Sequence, residues 1–430
     1  IRGLVGSEMC IRDRFKFGGA SVKNSDAIIN LKEIVSLHKE GLTVIVVSAI
    51  DKTTNQLEEI WKSYLNDDLD SAIQKTNKCI DFHYDIINNL VLNKDDDFVD
   101  QFNSLSNELK SFLINNKKDN NLSYSKIVSY GELWSTCIIS SYLNREGYLN
   151  NWVDARKIIK TKLNFIESDV DWEKTNEIVN QTINKKKLYV TQGFISSNSD
   201  GLTTTLGREG SDFTASIIGT CLAVDEVVIW KDVDGLLNAD PKWFDNTKVL
   251  KNISYKEAIE LSYLGASVIH PNTVKPLQNK KINLRIKSFL VPSNKGSLIS
   301  ESGLDDREIP SLIYKPNQFL LSITTKDYSF VFEEHISEIF SIFSYSGYKV
   351  HLMQNSALSF SVCGIISPFK LRLLIKGLQK NYKVKYNEKV DLLTIRHYNS
   401  LDIPDFLKSK EILIQQRSRS TIRFVFKDKT

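Results

Sequence analysis

The chain has 430 residues, 41% of them hydrophobic, and a formal net charge of only +4. That length admits two or three domains with substantial cores, and the small charge singles out no polyanionic partner. No basic patch with interleaved aromatics points to nucleic acid, no apolar run is long enough to span a membrane, and the five cysteines (Cys10, Cys79, Cys137, Cys221, Cys363) show no CxxC spacing, so they read as reduced thiols of a cytoplasmic protein.

In chain order, residues 1–14 carry neither a signal-peptide core nor a clean strand pattern and are read as a non-native leader. FKFGGASV (15–22) reads as a strand, a glycine turn and the approach to a helix over 25–38. Gly18 and Gly19 let backbone approach a phosphate, and Lys16 at the strand end can reach the same group as a point charge. The spacing matches neither a Walker loop nor a dinucleotide fingerprint. Residues 42–47 form a β-branched strand ending at Ser48-Ala49, with Lys52, Thr53 and Thr54 just beyond, and the carboxyl end of a buried strand is where open α/β sheets hold ligands. Residues 67–116 read as two amphipathic helices, with Phe98, Phe102, Leu105, Leu109 and Phe112 as a packing face. A helix over 127–143 carries Glu132 in SYGELWST, where a carboxylate also suits the helix dipole.

Residues 188–195 read as a strand with Gly193 and Phe194 at its end. The stretch 201–215, GLTTTLGREGSDFTA, concentrates polar chemistry: Thr203, Thr204 and Thr205, then Arg208, Glu209, Gly210, Ser211 and Asp212 in one turn. A helix over 213–224 follows, with Ser211 or Asp212 as its N-cap. Glycines, hydroxyls and backbone N–H groups at the positive end of a helix suit an anion, and Arg208 adds a planar fork for a carboxylate or phosphate. Each residue alone also fits an ordinary capped loop. A strand over 226–230 runs into Lys231, Asp232, Val233 and Asp234, then NADPK (238–242). His270, ahead of Pro271, reads as structural, and the six histidines show no metal-ligand spacing. Strands alternating with helices imply a parallel sheet covered on both faces.

Seven motifs now form an ordered set: KFGGASV (16–22), VVSA with TTNQL (46–49, 53–57), SYGEL (129–133), QGFI (192–195), TTLGREGSDFTA (204–215), IWKDVDGLLNADPK (229–242) and LGASVIHP (264–271). The set resembles the aspartate kinases of the amino-acid kinase family. The resemblance implies a carbamate kinase-like α/β/α sandwich over 15–295 and transfer of the γ-phosphoryl of ATP, with Mg²⁺ carried by the nucleotide, to the side-chain carboxylate of L-aspartate. It implies Lys16 and Asp212 as catalytic residues. Ser48, Thr54, Glu132, Phe194 and Arg208 would bind aspartate, Glu132 taking its ammonium group and Arg208 its α-carboxylate. Lys16, Gly18, Gly19, Ser21, Lys231, Asp232, Asp234 and Lys242 would bind the nucleotide, with no metal held by the protein alone. An acceptor carboxylate is already ionised, so no general base is needed. Four positions depart from the pattern: Ala20 and Lys231 replace Thr, Ser267 replaces Lys, and Lys242 replaces Arg. Lys231 is read as compensating for Ser267.

Residues 296–315 read as a linker. Beyond them, 319–325, 331–345, 348–354, 358–363, 368–381 and 382–386 follow the β-α-β-β-α-β order of a ferredoxin-like unit. Beside an aspartate kinase this looks like an ACT domain, and strands over 391–398, 411–417 and 421–427 resemble a second with shortened helices, so 316–430 is read as an ACT regulatory region supporting a homodimer. In the effector stretch implied by the resemblance (348–359), His351 and Ala357 stand where acidic residues are common, so weak inhibition by lysine is expected. Two alternatives remain: another amino-acid kinase, such as a glutamate 5-kinase, or a non-enzymatic amino-acid sensor. The Arg208/Glu132 pair and the ACT tail argue against the first, and intact Lys16 and Asp212 against the second. Because the chain ends at Thr430, a fused homoserine dehydrogenase is not expected.

Overall fold

The computed structural model describes residues 13–38, 41–92, 95–116, 119–162, 164–265, 269–303, 306–327, 329–398 and 403–429. The chain divides into two compact units. One comprises residues 1–236, 249–259 and 267–305, and the other 237–248, 260–266 and 306–430.

The first unit is built on an eight-stranded sheet. Its spatial order is Asn150–Val153, Leu188–Gln192, Val44–Val47, Asp13–Phe17, Glu226–Lys231, Asn283–Ser288, Ser297–Ser300 and Asn252–Ser254. All pairs are parallel except Ser297–Ser300 against Asn283–Ser288. The four β-branched residues of Val44–Val47 are all buried, as a central strand covered on both faces requires. Phe15, Phe17, Trp230 and Phe289 interlock on neighbouring strands, Phe15 edge-on to Trp230 at 5.5 Å between ring centroids. The two expected amphipathic helices are Leu69–Asn89 and Asp96–Asn115, and Phe98, Phe102, Leu105 and Leu109 are buried. Asn120–Arg145 is longer than expected and buried along most of its length.

Three further boundaries in this unit differ from the sequence reading. Asp13 and Arg14, read as leader, begin the first strand, where Arg14 lies opposite Val44 and Val227 and is buried; the rest of the leader lies outside the described residues. Ser297–Ser300, read as linker, is a strand, and its buried Ser297 hydroxyl accepts the Leu236 N–H at 2.8 Å. Ser211 and Asp212 do not cap a helix but lie inside its first turn, because Gly210–Leu222 starts earlier, from Glu209 in the left-handed conformation.

The second unit is a six-stranded antiparallel sheet. The order is Lys349–Asn355, Ser359–Ile365, Ser311–Thr325, Tyr382–Arg396, Thr421–Asp428 and Lys410–Arg417. The expected β-α-β-β-α-β order is present, with helices Glu333–Ser346 and Pro368–Gln379 packing on Leu321, Ile323, Phe360 and Val362. The stretches read as strands over 382–386 and 391–398 are one 15-residue strand, Tyr382–Arg396, paired along its length with Ser311–Thr325. Residues 311–315, read as linker, therefore belong to this sheet. Among the described residues, only the short 3₁₀ turn Asp405–Ser409 stands where a second unit's helices would be. Among the described residues, no helix is long and apolar enough to cross a membrane.

Candidate active site

Four parallel strands end side by side: Asp13–Phe17, Val44–Val47, Leu188–Gln192 and Glu226–Lys231. The carboxyl edge they form carries Lys16, Ser48, Phe194 and Lys231. Close approaches of backbone tighten it. A Cβ on Gly193 would lie 2.3 Å from the Ser211 Cβ, so only glycine lets the first turn of Gly210–Leu222 dock on this strand end. Phe194 takes a left-handed φ of 67°, held by its N–H to the Thr214 hydroxyl at 3.0 Å and its carbonyl to the Leu206 N–H at 2.8 Å. A bulky residue in that conformation is strained, which the surrounding bonds over-determine.

The helix places Asp212, 2% exposed, between two lysines. Lys16 Nζ is 2.5 Å from one carboxylate oxygen and Lys231 Nζ 3.1 Å from the other. Burial alone would push the Asp212 carboxyl up; the ammonium groups of Lys16 and Lys231 outweigh it and hold the group below the ordinary range. Gly18 and Gly19 lead from Lys16 into the turn Gly19–Val22. The Ser21 hydroxyl, on that turn, donates to the Trp230 carbonyl at 3.3 Å, tying the turn to the neighbouring strand.

On the other side, Gly131 brings the helix Asn120–Arg145 onto the Ser48-Ala49 strand end, since a Cβ there would meet the Ala49 Cβ at 2.9 Å. This sets Glu132, 3% exposed, against the Ala49 N–H, which donates to Oε1 at 3.3 Å. Its Oε2 is buried without a hydrogen-bond partner among the described residues. Burial pushes the carboxyl up to about 8, opposed in part by the Ala49 N–H. A buried acceptor with one empty lone-pair side is costly unless a ligand donor fills it. Ser135, one turn along the same helix, donates to the Ser48 carbonyl at 2.7 Å.

Arg208 is exposed, makes no ion pair among the described residues, and lines a cleft of about 570 Å³ with Lys162, Trp172, Phe213 and His270. Thr54 is half-buried at the start of Thr53–Leu65. Asp232 and Asp234 are exposed just past Lys231, whereas Lys242 is exposed in the other unit. His270 is structural as read: its Nδ1 accepts the Asn272 N–H at 3.2 Å, capping Pro271–Lys280. Ser267 lies outside the described residues. Among the described residues, no cluster of three or more His, Cys, Asp and Glu side chains could hold a metal ion, and Cys79, Cys137, Cys221 and Cys363 are unpaired and buried. A larger cavity of about 820 Å³ lies in the second unit, lined by Phe319, Ile366, Leu371 and Ile375, and holds none of these groups.

A model of the amino acid kinase family matches residues 15–288. The chain belongs to the amino acid kinase family. Within that family, aspartokinase 1, chloroplastic, of Arabidopsis thaliana is 30% identical over 400 residues, 88% of this chain and 68% of that protein. The bifunctional aspartokinase/homoserine dehydrogenase of Buchnera aphidicola is 30% identical over 344 residues, 76% of this chain but 40% of its own length. The chain spans between 32% and 42% of the bifunctional relatives it matches. Among solved structures, Escherichia coli aspartokinase III in complex with lysine and aspartate matches with a TM-score of 0.77 at 23% identity, over 96% of this chain and 95% of that one. The aspartate kinase of Clostridium acetobutylicum matches with a TM-score of 0.77 at 22% identity, over 96% of each chain. The fold is shared with both.

For an amino acid kinase the donor set fits phosphate oxygens: the Lys16 ammonium, turn N–H groups and a helix N-terminus. Sequence reading missed Ala49, Ser135 and Thr214. Ser135 carried a signal, since it lies three residues beyond Glu132 on one helix face. Ala49 contributes only a backbone N–H and carried none.

Proposed function

We propose that the chain is an aspartate kinase. The observation that carries this is the buried Glu132 carboxyl with an unpartnered oxygen at the strand edge that also holds Lys16 and Lys231. An ammonium group fills that vacancy best, and Arg208 adds a fork for the α-carboxylate of the same amino acid. Ser48, Thr54 and Phe194 would line the substrate's flank. With both ends held, the side-chain carboxylate can attack the γ-phosphorus of ATP in line. The new bond is an acyl phosphate, the bond to the bridging β–γ oxygen breaks, and ADP departs; no proton moves from the acceptor. Lys16 and the N–H groups of Gly18 and Gly19 would stabilise the charge spread over the transferring phosphoryl group. Asp232 and Asp234 would contact the nucleotide, and Mg²⁺ would arrive with it. The second unit is proposed as an ACT-type regulatory region through which the protein dimerises, in the cytoplasm.

A coupled assay of ADP release with aspartate, glutamate and N-acetylglutamate tests this. Aspartate alone should be phosphorylated, and Lys16→Ala should lower kcat by about 100-fold or more. Preference for glutamate would assign another amino-acid kinase, and nucleotide binding without turnover would assign a sensor.

A further inference from the structure

Lys231 ends a strand adjacent to that of Lys16. Lys16 lies opposite Ile229 in the parallel register, so Lys231, two residues beyond Ile229, projects from the same face of the sheet. Both ammonium groups converge on Asp212, one per oxygen, at 2.5 and 3.1 Å. The carboxylate is 2% exposed, so solvent screens this cluster little. One negative charge between two positive ones leaves a net single positive charge at the strand edge. Without Lys231, Lys16 and Asp212 would form a neutral pair, and the Lys16 field at an incoming phosphoryl group would be largely cancelled.

We propose that Lys231 is a positioning residue for phosphoryl transfer: by occupying the second oxygen of Asp212 it fixes that carboxylate and keeps the Lys16 ammonium electrostatically available to the transferring group. This rests on the phosphotransfer function proposed above. It differs from a direct nucleotide contact, because Lys231 acts through Asp212.

A double-mutant cycle on kcat separates the two roles. Lys231→Met should lower kcat by about tenfold, less than the roughly 100-fold expected for loss of a direct donor because Lys231 acts through Asp212, with KM for ATP changing by less than about threefold. Lys231→Arg keeps a cation of sufficient reach and should recover most of the loss. In an Asp212→Asn background, Lys231→Met should cost little more. Lys231→Gln serves if the Met variant does not fold, with the same pattern expected. A raised KM for ATP at unchanged kcat, the same fold-loss in both backgrounds, or no effect overturns the inference. Wild-type turnover of aspartate is measured first. An active wild type with an additive cycle overturns the Lys231 role alone, and an inactive wild type overturns both.

Discussion

Under the proposed function, Glu132 is the residue whose chemistry would depend most on what it binds. Its carboxyl is pushed up to about 8 by burial, above the 4.5 of an unperturbed glutamate. The neutral form is therefore the comfortable one. Its contribution to stability is fully present below pH 4.5 and is lost as pH rises towards 8, by about 1.4 kcal/mol per unit. A substrate ammonium against Oε2, as proposed, would reverse the preference, so binding should expel a proton. KM for aspartate should fall as pH is raised from about 6 to 8 and flatten above, and calorimetry in buffers of different ionisation enthalpy should register proton release. Glu132→Gln should abolish that release and raise KM for aspartate at every pH; an unchanged KM would remove Glu132 from the substrate site. Arg208→Lys, keeping charge but losing the fork, should raise KM for aspartate more than KM for ATP, and equal damage to both would assign Arg208 to phosphate. At this scale most side chains of the site were legible, because charged residues beside glycines have few structural reasons to be there. The bond from Ser21 to the Trp230 carbonyl was not, because a hydroxyl reads the same whether it faces a ligand or a backbone carbonyl.

Among elements, the helix Leu69–Asn89 was legible from its periodicity, but the use of its buried His83 was not. The ring sits 5.1 Å from Trp134 and 6.3 Å from Phe102, with Nδ1 2.7 Å from the Cys79 carbonyl. Burial lowers its pKa from 6.5 to about 4, opposed by the Cys79 bond. Its contribution to stability is therefore present above 6.5 and is lost as pH falls towards 4, by about 3 kcal/mol in all. Urea unfolding from pH 7 to 4.5 should show that loss in wild type and a flatter profile in His83→Phe; parallel profiles would mean that other groups set the acid limb. Misread boundaries have local causes of the same kind. The start of Gly210–Leu222 was placed at a polar residue because Ser and Asp cap helices well, whereas the left-handed Glu209 makes the turn instead. Tyr382–Arg396 reads as two strands in the sequence because its middle, YNEKVD, is polar and looks like a loop. A bulge opposite Gln318, with Asn317 and Lys389 both left-handed, lets the chain continue through it.

For the whole molecule, the parallel sheet and the antiparallel tail were both legible as separate architectures, since each has its own hydrophobic period. If the tail is the regulatory region proposed above, what it would respond to depends on charges that only the fold brings together. In the stretch 348–359, His351 Nδ1 lies 2.7 Å from Gln318 Oε1. Burial, then Lys315 and Lys349, lower the His351 pKa to about 4, so the ring is neutral at pH 7. A protonated His351 is therefore not what would repel a cationic effector; the lysines beside it are. Ser356 is engaged with Ser359, whose N–H it accepts at 3.1 Å, and Ala357 offers no carboxylate. Asp391 already accepts the Tyr314 hydroxyl at 2.5 Å and the Asn317 N–H at 3.1 Å. A lysine ammonium entering this stretch would lose hydration without gaining an anion, a cost of about 3 kcal/mol or more. Titration of aspartate phosphorylation with lysine should give half-inhibition above about 1 mM, a binding free energy weaker than about −4 kcal/mol. His351→Asp, which restores a carboxylate beside Lys315 and Lys349, should strengthen inhibition; potent inhibition of wild type at micromolar lysine would show that the effector is held by other residues.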